Sequence, residues 1–159
     1  MNSLAKKLKT LLLKKNLSLS VCESCTGGML ASIITTVPGS SNYFKGGIIA
    51  YSNEIKNKSV GVKKSTLKKF GAVSKQTASE MAMGIKRIMG TDAGIAITGI
   101  AGPGGGTKNK PVGLVYIGVI LDKRMKIEKN IFTGNRQQIR KKACEQALEL
   151  LIQMLKGGK

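Results

Sequence analysis

The chain has 159 residues, 42% of them hydrophobic, and 27 Lys and Arg against 8 Asp and Glu give a net charge of +19. That length suits one domain with its own apolar core, and the apolar content excludes a disordered chain. No apolar run approaches the roughly 18 residues of a membrane span, and histidine is absent, which removes every Ser-His-Asp and Cys-His mechanism.

Leu4, Leu8, Leu11 and Leu12 recur at helical spacing through residues 3–15, with lysines between them. This amphipathic start lacks the apolar stretch of a secretory signal. Leu17 to Cys22 reads as a short strand. Glu23-Ser24-Cys25 then turns, and Thr26 is placed to cap a helix running to about Thr36, with Gly27-Gly28 allowing close backbone approach. Residues 37–41 form a loop, Gly46 to Tyr51 a second buried strand, and Ser52 or Asn53 the cap of the next helix. Lys63 to Phe70 is a short helix closed by Gly71. Ser74 caps a longer one reaching about Gly90, with Met81, Met83 and Met89 as core filling. Ala93 to Thr98 is a strand that runs into the glycine-rich stretch 99–106. Val112 to Ile120 and Met125 to Phe132 make a hairpin around Asp122-Lys123, and Asn135 caps a final helix to about Leu155. No repeat or linker divides residues 1–159. The expectation is a single α/β domain, a three-layer α/β/α sandwich with a mixed sheet and its site at the strand ends.

Ser24 follows a strand and precedes a helix, where the backbone N–H groups of Cys25, Thr26 and Gly27 are placed to stabilise an oxyanion. The same position also suits a simple helix cap. Without an imidazole, a serine nucleophile needs another base, and Tyr51-Ser52-Asn53-Glu54-Ile55-Lys56 offers a lysine after an apolar strand. Such a lysine must be neutral, which burial and the positive end of a helix favour and a nearby Glu23 or Glu54 opposes; the alternative is one more solvated surface charge. The loop from Gly99 through Gly102 sits at a strand's carboxyl end, the usual ligand edge, but lacks a Walker or dinucleotide pattern, so a mobile turn fits it as well. Arg136 opens the last helix as a clamp for a phosphate or carboxylate, or as a surface arginine. Cys22 and Cys25 form a Cys-x-x-Cys pair, read as buried thiols with a redox pair as alternative; with no histidine and only Cys144 besides, the ligand count disfavours a closed zinc site, and no metal or cofactor is expected. The three cysteines and the absence of a signal point to a cytoplasmic protein. The 23 lysines among 27 basic residues are spread along the chain, and aromatics make up only 4%, so nucleic-acid binding is expected to be non-specific at most, with no membrane partner.

Taken together, Glu23 to Gly28, Pro38-Gly39-Ser40-Ser41, Gly46 to Lys56, Gly71-Ala72-Val73-Ser74, Thr98 to Pro103 and Lys110-Pro111-Val112-Gly113 resemble the CinA carboxy-terminal domain family, the bacterial nicotinamide-nucleotide amidohydrolases. The blocks follow the family's order over nearly the whole chain, in the manner of its stand-alone form. The resemblance implies metal-free deamidation of nicotinamide mononucleotide to nicotinate mononucleotide and ammonia in NAD recycling, often by a homodimer. It places the nucleophile on Ser24, the base on Lys56, and further site residues on Tyr51, Thr98 and Arg136. Cys22 stands where the family commonly has alanine, and Thr98 where serine is common. The other functions weighed are a competence-linked, nucleic-acid-associated accessory protein and a catalytically silent family member.

Overall fold

The structure is a computed structural model and describes residues 2–157. Its elements in chain order are α1 (Asn2–Lys14), β1 (Leu19–Glu23), α2 (Met29–Thr35), a 3-10 turn (Ser40–Asn42), β2 (Phe44–Ile49), α3 (Asn53–Val60), α4 (Lys64–Phe70), α5 (Lys75–Met89), β3 (Ala93–Gly99), β4 (Leu114–Leu121), β5 (Arg124–Ile131) and α6 (Arg136–Lys156). The leucine stripe of α1 does what its spacing predicts: Ala5, Leu8 and Leu12 are buried. Polar side chains close the helix starts as expected, with Ser52 accepting from the Ile55 N–H, Ser74 from that of Thr77, and Asn135 and Gln138 forming a reciprocal capping box.

The sheet has the order β2-β1-β3-β4-β5. Strands β1, β2 and β3 are parallel, whereas β4 and β5 run antiparallel to their neighbours, so the sheet is mixed. Leu19 and Val21 of β1 face one core, packed under α1, α2 and α6, while Cys22 faces a second core with Val60, Met81 and Ile85 beneath α3 and α5. Two helical layers thus enclose one sheet, the expected three-layer architecture. From β1 the chain reaches β2 through α2 on one face and returns to β3 through α3, α4 and α5 on the other. The carboxyl ends of all three parallel strands, in register at Glu23, Ile49 and Ile97, therefore open onto a common crevice.

Three details differ from the sequence reading. Strand β2 is an edge strand, alternately exposed rather than buried, because only β1 pairs with it. Met83 is 44% exposed, on the outer side of α5, whereas Met81 is in the core. Helix α2 starts at Met29 with Gly28 at its cap position, two residues later than expected, for a reason that concerns the site. A close approach also matters here: a Cβ on Gly84 would lie 1.8 Å from the Val60 carbonyl oxygen, so only glycine lets α5 press against the end of α3.

Candidate active site

Ser24 is the first residue past β1, tied to β3 by its N–H donating to the Ile97 carbonyl at 2.9 Å. The turn after it is built differently from a capped helix start. Gly28, in the left-handed region at φ +92, occupies the cap position, and no side chain at that position accepts from the helix. The acceptor comes instead from the end of the strand. The Glu23 carboxylate, buried on β1, takes the N–H groups of Gly28 (3.1 Å), Leu30 (3.0 Å) and Ala31 (2.8 Å). A carboxylate at the positive end of a helix is favourable, and here it satisfies amides that would otherwise be orphaned. Thr26, expected as the cap, is fully buried with its hydroxyl unpartnered; its carbonyl accepts from the Met29 N–H at 3.1 Å. Gly27 donates its N–H to the Ser24 carbonyl at 3.1 Å, which removes it as an oxyanion donor. Among the described residues, no other residue accepts from the N–H of Cys25 or Thr26, but Thr26 is fully buried away from the cavity that Ser24 faces, so the Cys25 N–H is the one that remains for the purpose.

Lys56 lies in the first turn of α3 and is 1% exposed. Its Nζ reaches Ser24 Oγ at 2.8 Å, the Ala50 carbonyl at 2.7 Å and the Tyr51 carbonyl at 3.3 Å. Burial holds its pKa below the ordinary lysine value. Neither carboxylate that might have reversed this engages it. Glu23 is spent on α2, and Glu54 pairs with Lys58 at 2.6 Å in solvent. In its neutral form the amine has two hydrogens and one lone pair, and when the two carbonyls take the hydrogens the lone pair faces the Ser24 hydroxyl.

Ser24 and Lys56 open into a cavity of about 280 Å³ at the carboxyl ends of the parallel strands. Cys25, Tyr51, Thr98, Gly99, Gly102 and Arg136 line it too, whereas Thr26 and Gly27 do not. Arg136, at the start of α6, donates to the Gly102 carbonyl at 2.7 Å and to the Tyr51 hydroxyl at 3.0 Å, joining three segments distant in sequence around the mouth. Thr98 donates its hydroxyl to the Ala72 carbonyl at 2.7 Å. Cys22 and Cys25 are free thiols in different cores, and burial pushes them up to about 12 and about 11, the reverse of what a reactive Cys-x-x-Cys pair requires.

Sequence reasoning missed Arg140, whose Nη2 donates to the Thr26 carbonyl at 2.6 Å and so holds the turn that carries Ser24. Its one signal is the spacing Arg136-x-x-x-Arg140, which places two guanidinium groups on one face of α6. Glu23 as the anchor of α2, and the carbonyls of Ala50, Tyr51 and Ala72, carried no signal.

The CinA C-terminal domain family model matches residues 1–155. A CinA-like protein from Kosmotoga olearia is 52% identical over 153 residues, which is 96% of this chain and 37% of that protein. The chain spans about a third of the length of the curated relatives it matches. Among solved structures, the competence/damage inducible protein CihA from Agrobacterium tumefaciens superposes with a TM-score of 0.95 at 38% identity, covering 98% of this chain and 95% of that one. The competence damage-inducible protein A from Klebsiella pneumoniae does so with a TM-score of 0.96 at 29% identity, covering 99% and 98%.

Proposed function

Because the chain belongs to the CinA C-terminal domain family, and because a buried lysine faces its candidate nucleophile, we propose that it hydrolyses the carboxamide of nicotinamide mononucleotide to give nicotinate mononucleotide and ammonia. The observation that carries this reading is the 2.8 Å separation of Ser24 Oγ and Lys56 Nζ inside a cavity from which Lys56 is shielded on its other sides.

The mechanism proceeds through an acyl-enzyme. Neutral Lys56 takes the Ser24 proton as Oγ attacks the carboxamide carbon, and the negative charge that collects on the amide oxygen falls to the N–H of Cys25. Lys56, now an ammonium, returns that proton to the amide nitrogen; the C–N bond breaks and ammonia leaves. Water then attacks the ester, giving a proton to Lys56, which passes it to Ser24 Oγ as the acid departs. Arg136 keeps N–H groups beyond the two it gives to Gly102 and Tyr51, and these, with the backbone from Gly99 to Gly102, suit a ribose phosphate. The exposed Tyr51 ring offers a face for the pyridinium.

Ammonia release from nicotinamide mononucleotide by the purified, metal-free protein tests this. Ser24→Ala is expected to lower kcat by about 10⁴-fold or more and Lys56→Ala by about 10³-fold, both proteins remaining folded. Lys56→Arg is not expected to restore activity, since arginine stays protonated. No ammonia from the wild type at micromolar enzyme defeats the proposal.

A further inference from the structure

Thr98 is buried at the end of β3 and lines the cavity beside Ser24, whose N–H is held by the carbonyl of the preceding Ile97. Its Oγ1 lies 2.7 Å from the Ala72 carbonyl oxygen. A carbonyl oxygen has no hydrogen to give, so the proton in that bond belongs to Thr98 and is committed there. Lone pairs are all that the hydroxyl has left for the cavity. Other polar groups at the site have the opposite character: Arg136 and the N–H of Cys25 are donors, and the Tyr51 hydroxyl accepts from Arg136, which leaves its own hydrogen available.

Resting on the amidohydrolase reading, we infer that Thr98 accepts a hydrogen bond from the substrate carboxamide N–H and thereby sets the site's preference for an amide over the corresponding acid. The need for such a group follows from charge. The Arg136 guanidinium attracts a carboxylate, so a cavity without a fixed acceptor favours its acid product. An amide presents N–H to Thr98, and the nitrogen still carries N–H as the C–N bond breaks, so the contact persists through acylation. After hydrolysis an oxygen stands where nitrogen stood and meets lone pairs. Thr98 acts on the same group that Ser24 attacks, but as a reader of nitrogen against oxygen.

Titration calorimetry in a Ser24→Ala background, which prevents turnover, measures binding of nicotinamide mononucleotide and nicotinate mononucleotide. With Thr98 intact the amide is expected to bind more tightly. Thr98→Val is expected to shift the amide-to-acid affinity ratio toward the acid by about tenfold or more. Thr98→Ser keeps the hydroxyl and is expected to hold the ratio within about threefold. Loss of the anchor to Ala72 alone weakens both ligands together and leaves the ratio in place, so an unchanged ratio in Thr98→Val overturns the inference. If Thr98→Val does not fold, Thr98→Ala removes the same acceptor. If neither nucleotide binds, the nucleotide reading fails; the ratio is then measured with nicotinamide and nicotinate by ligand-observed NMR. No amide preference there, or one that survives loss of the hydroxyl, overturns the role of Thr98 as well.

Discussion

Taking Lys56 out of water disfavours its ammonium form, and the carbonyls of Ala50 and Tyr51 hold the amine without restoring a full countercharge. The proposed reaction needs the neutral form, so kcat/KM should rise with pH along a limb of unit slope and level off at a pH below the ordinary lysine value of about 10.4. With no histidine in the chain, that limb has no imidazole to account for it. A kcat/KM profile that keeps rising through the ordinary lysine range argues against Lys56 as base. The same proton governs stability. Between the depressed folded-state value and the unfolded value, the unfolded chain holds the extra proton, so the protein becomes more stable as pH rises through that window. Urea unfolding at several pH values should therefore show a slope that Lys56→Met lacks.

Helix α2 is short and has no side-chain cap at its own cap position, and its attachment to the sheet depends on one carboxylate. Three amides converge on Glu23, one of them buried and two partly so, and removing it leaves them without that acceptor. Glu23→Ala is expected to cost about 3–5 kcal/mol, and Glu23→Gln, which keeps one acceptor oxygen, about 1–3 kcal/mol, as read from denaturant midpoints. Because Ser24 is the next residue, the Gln variant should also lose kcat while KM changes little. A Gln variant with full kcat would make Glu23 purely structural. Strand β2 shows the other side of element-level reasoning. Its apolar residues suggested burial, yet Gly46 and Gly47 leave it thin and its outer edge is unpaired, so the strand is half-exposed. An apolar run reports on contacts available to a strand, and its place in the sheet decides how many are made.

Across the whole molecule the charge of +19 is carried by lysines spread along the chain, and few carboxylates are present to answer them, as in the Lys58–Glu54 and Lys126–Glu128 pairs. Such a surface attracts any polyanion. Duplex DNA of arbitrary sequence should bind in the micromolar range, with affinity falling by about tenfold or more between 50 and 200 mM salt. Fluorescence anisotropy at the two salt concentrations, with unlike sequences in competition, measures this. Nanomolar binding that favours one sequence would instead support an accessory role on nucleic acid. No helix of the described residues is long and apolar enough to cross a membrane.

The order and kind of every α-helix and strand, though not the 3-10 turn at Ser40–Asn42, could be read from the chain because leucine spacing, capping residues and glycine turns act over a few neighbours. Residues 24–28, the lysine at 56 and the glycine-rich loop at 99–106 stood out on the same local grounds. What Lys56 is, a buried amine facing Ser24 rather than one more surface cation, depends on residues that meet only after folding: 32 positions separate the pair, and the protonation state follows from burial and from carbonyls on another segment. Local chemistry also suggested the wrong owner for the α2 amides. Thr26 has the right side chain for a cap, but Glu23, held by the sheet, reaches them first, and Arg140 reaches the Thr26 carbonyl from 114 residues away. Short-range preferences belong to the sequence. Desolvation and long-range hydrogen bonding belong to the assembled fold, and these decided which groups at the site can donate, accept or carry charge.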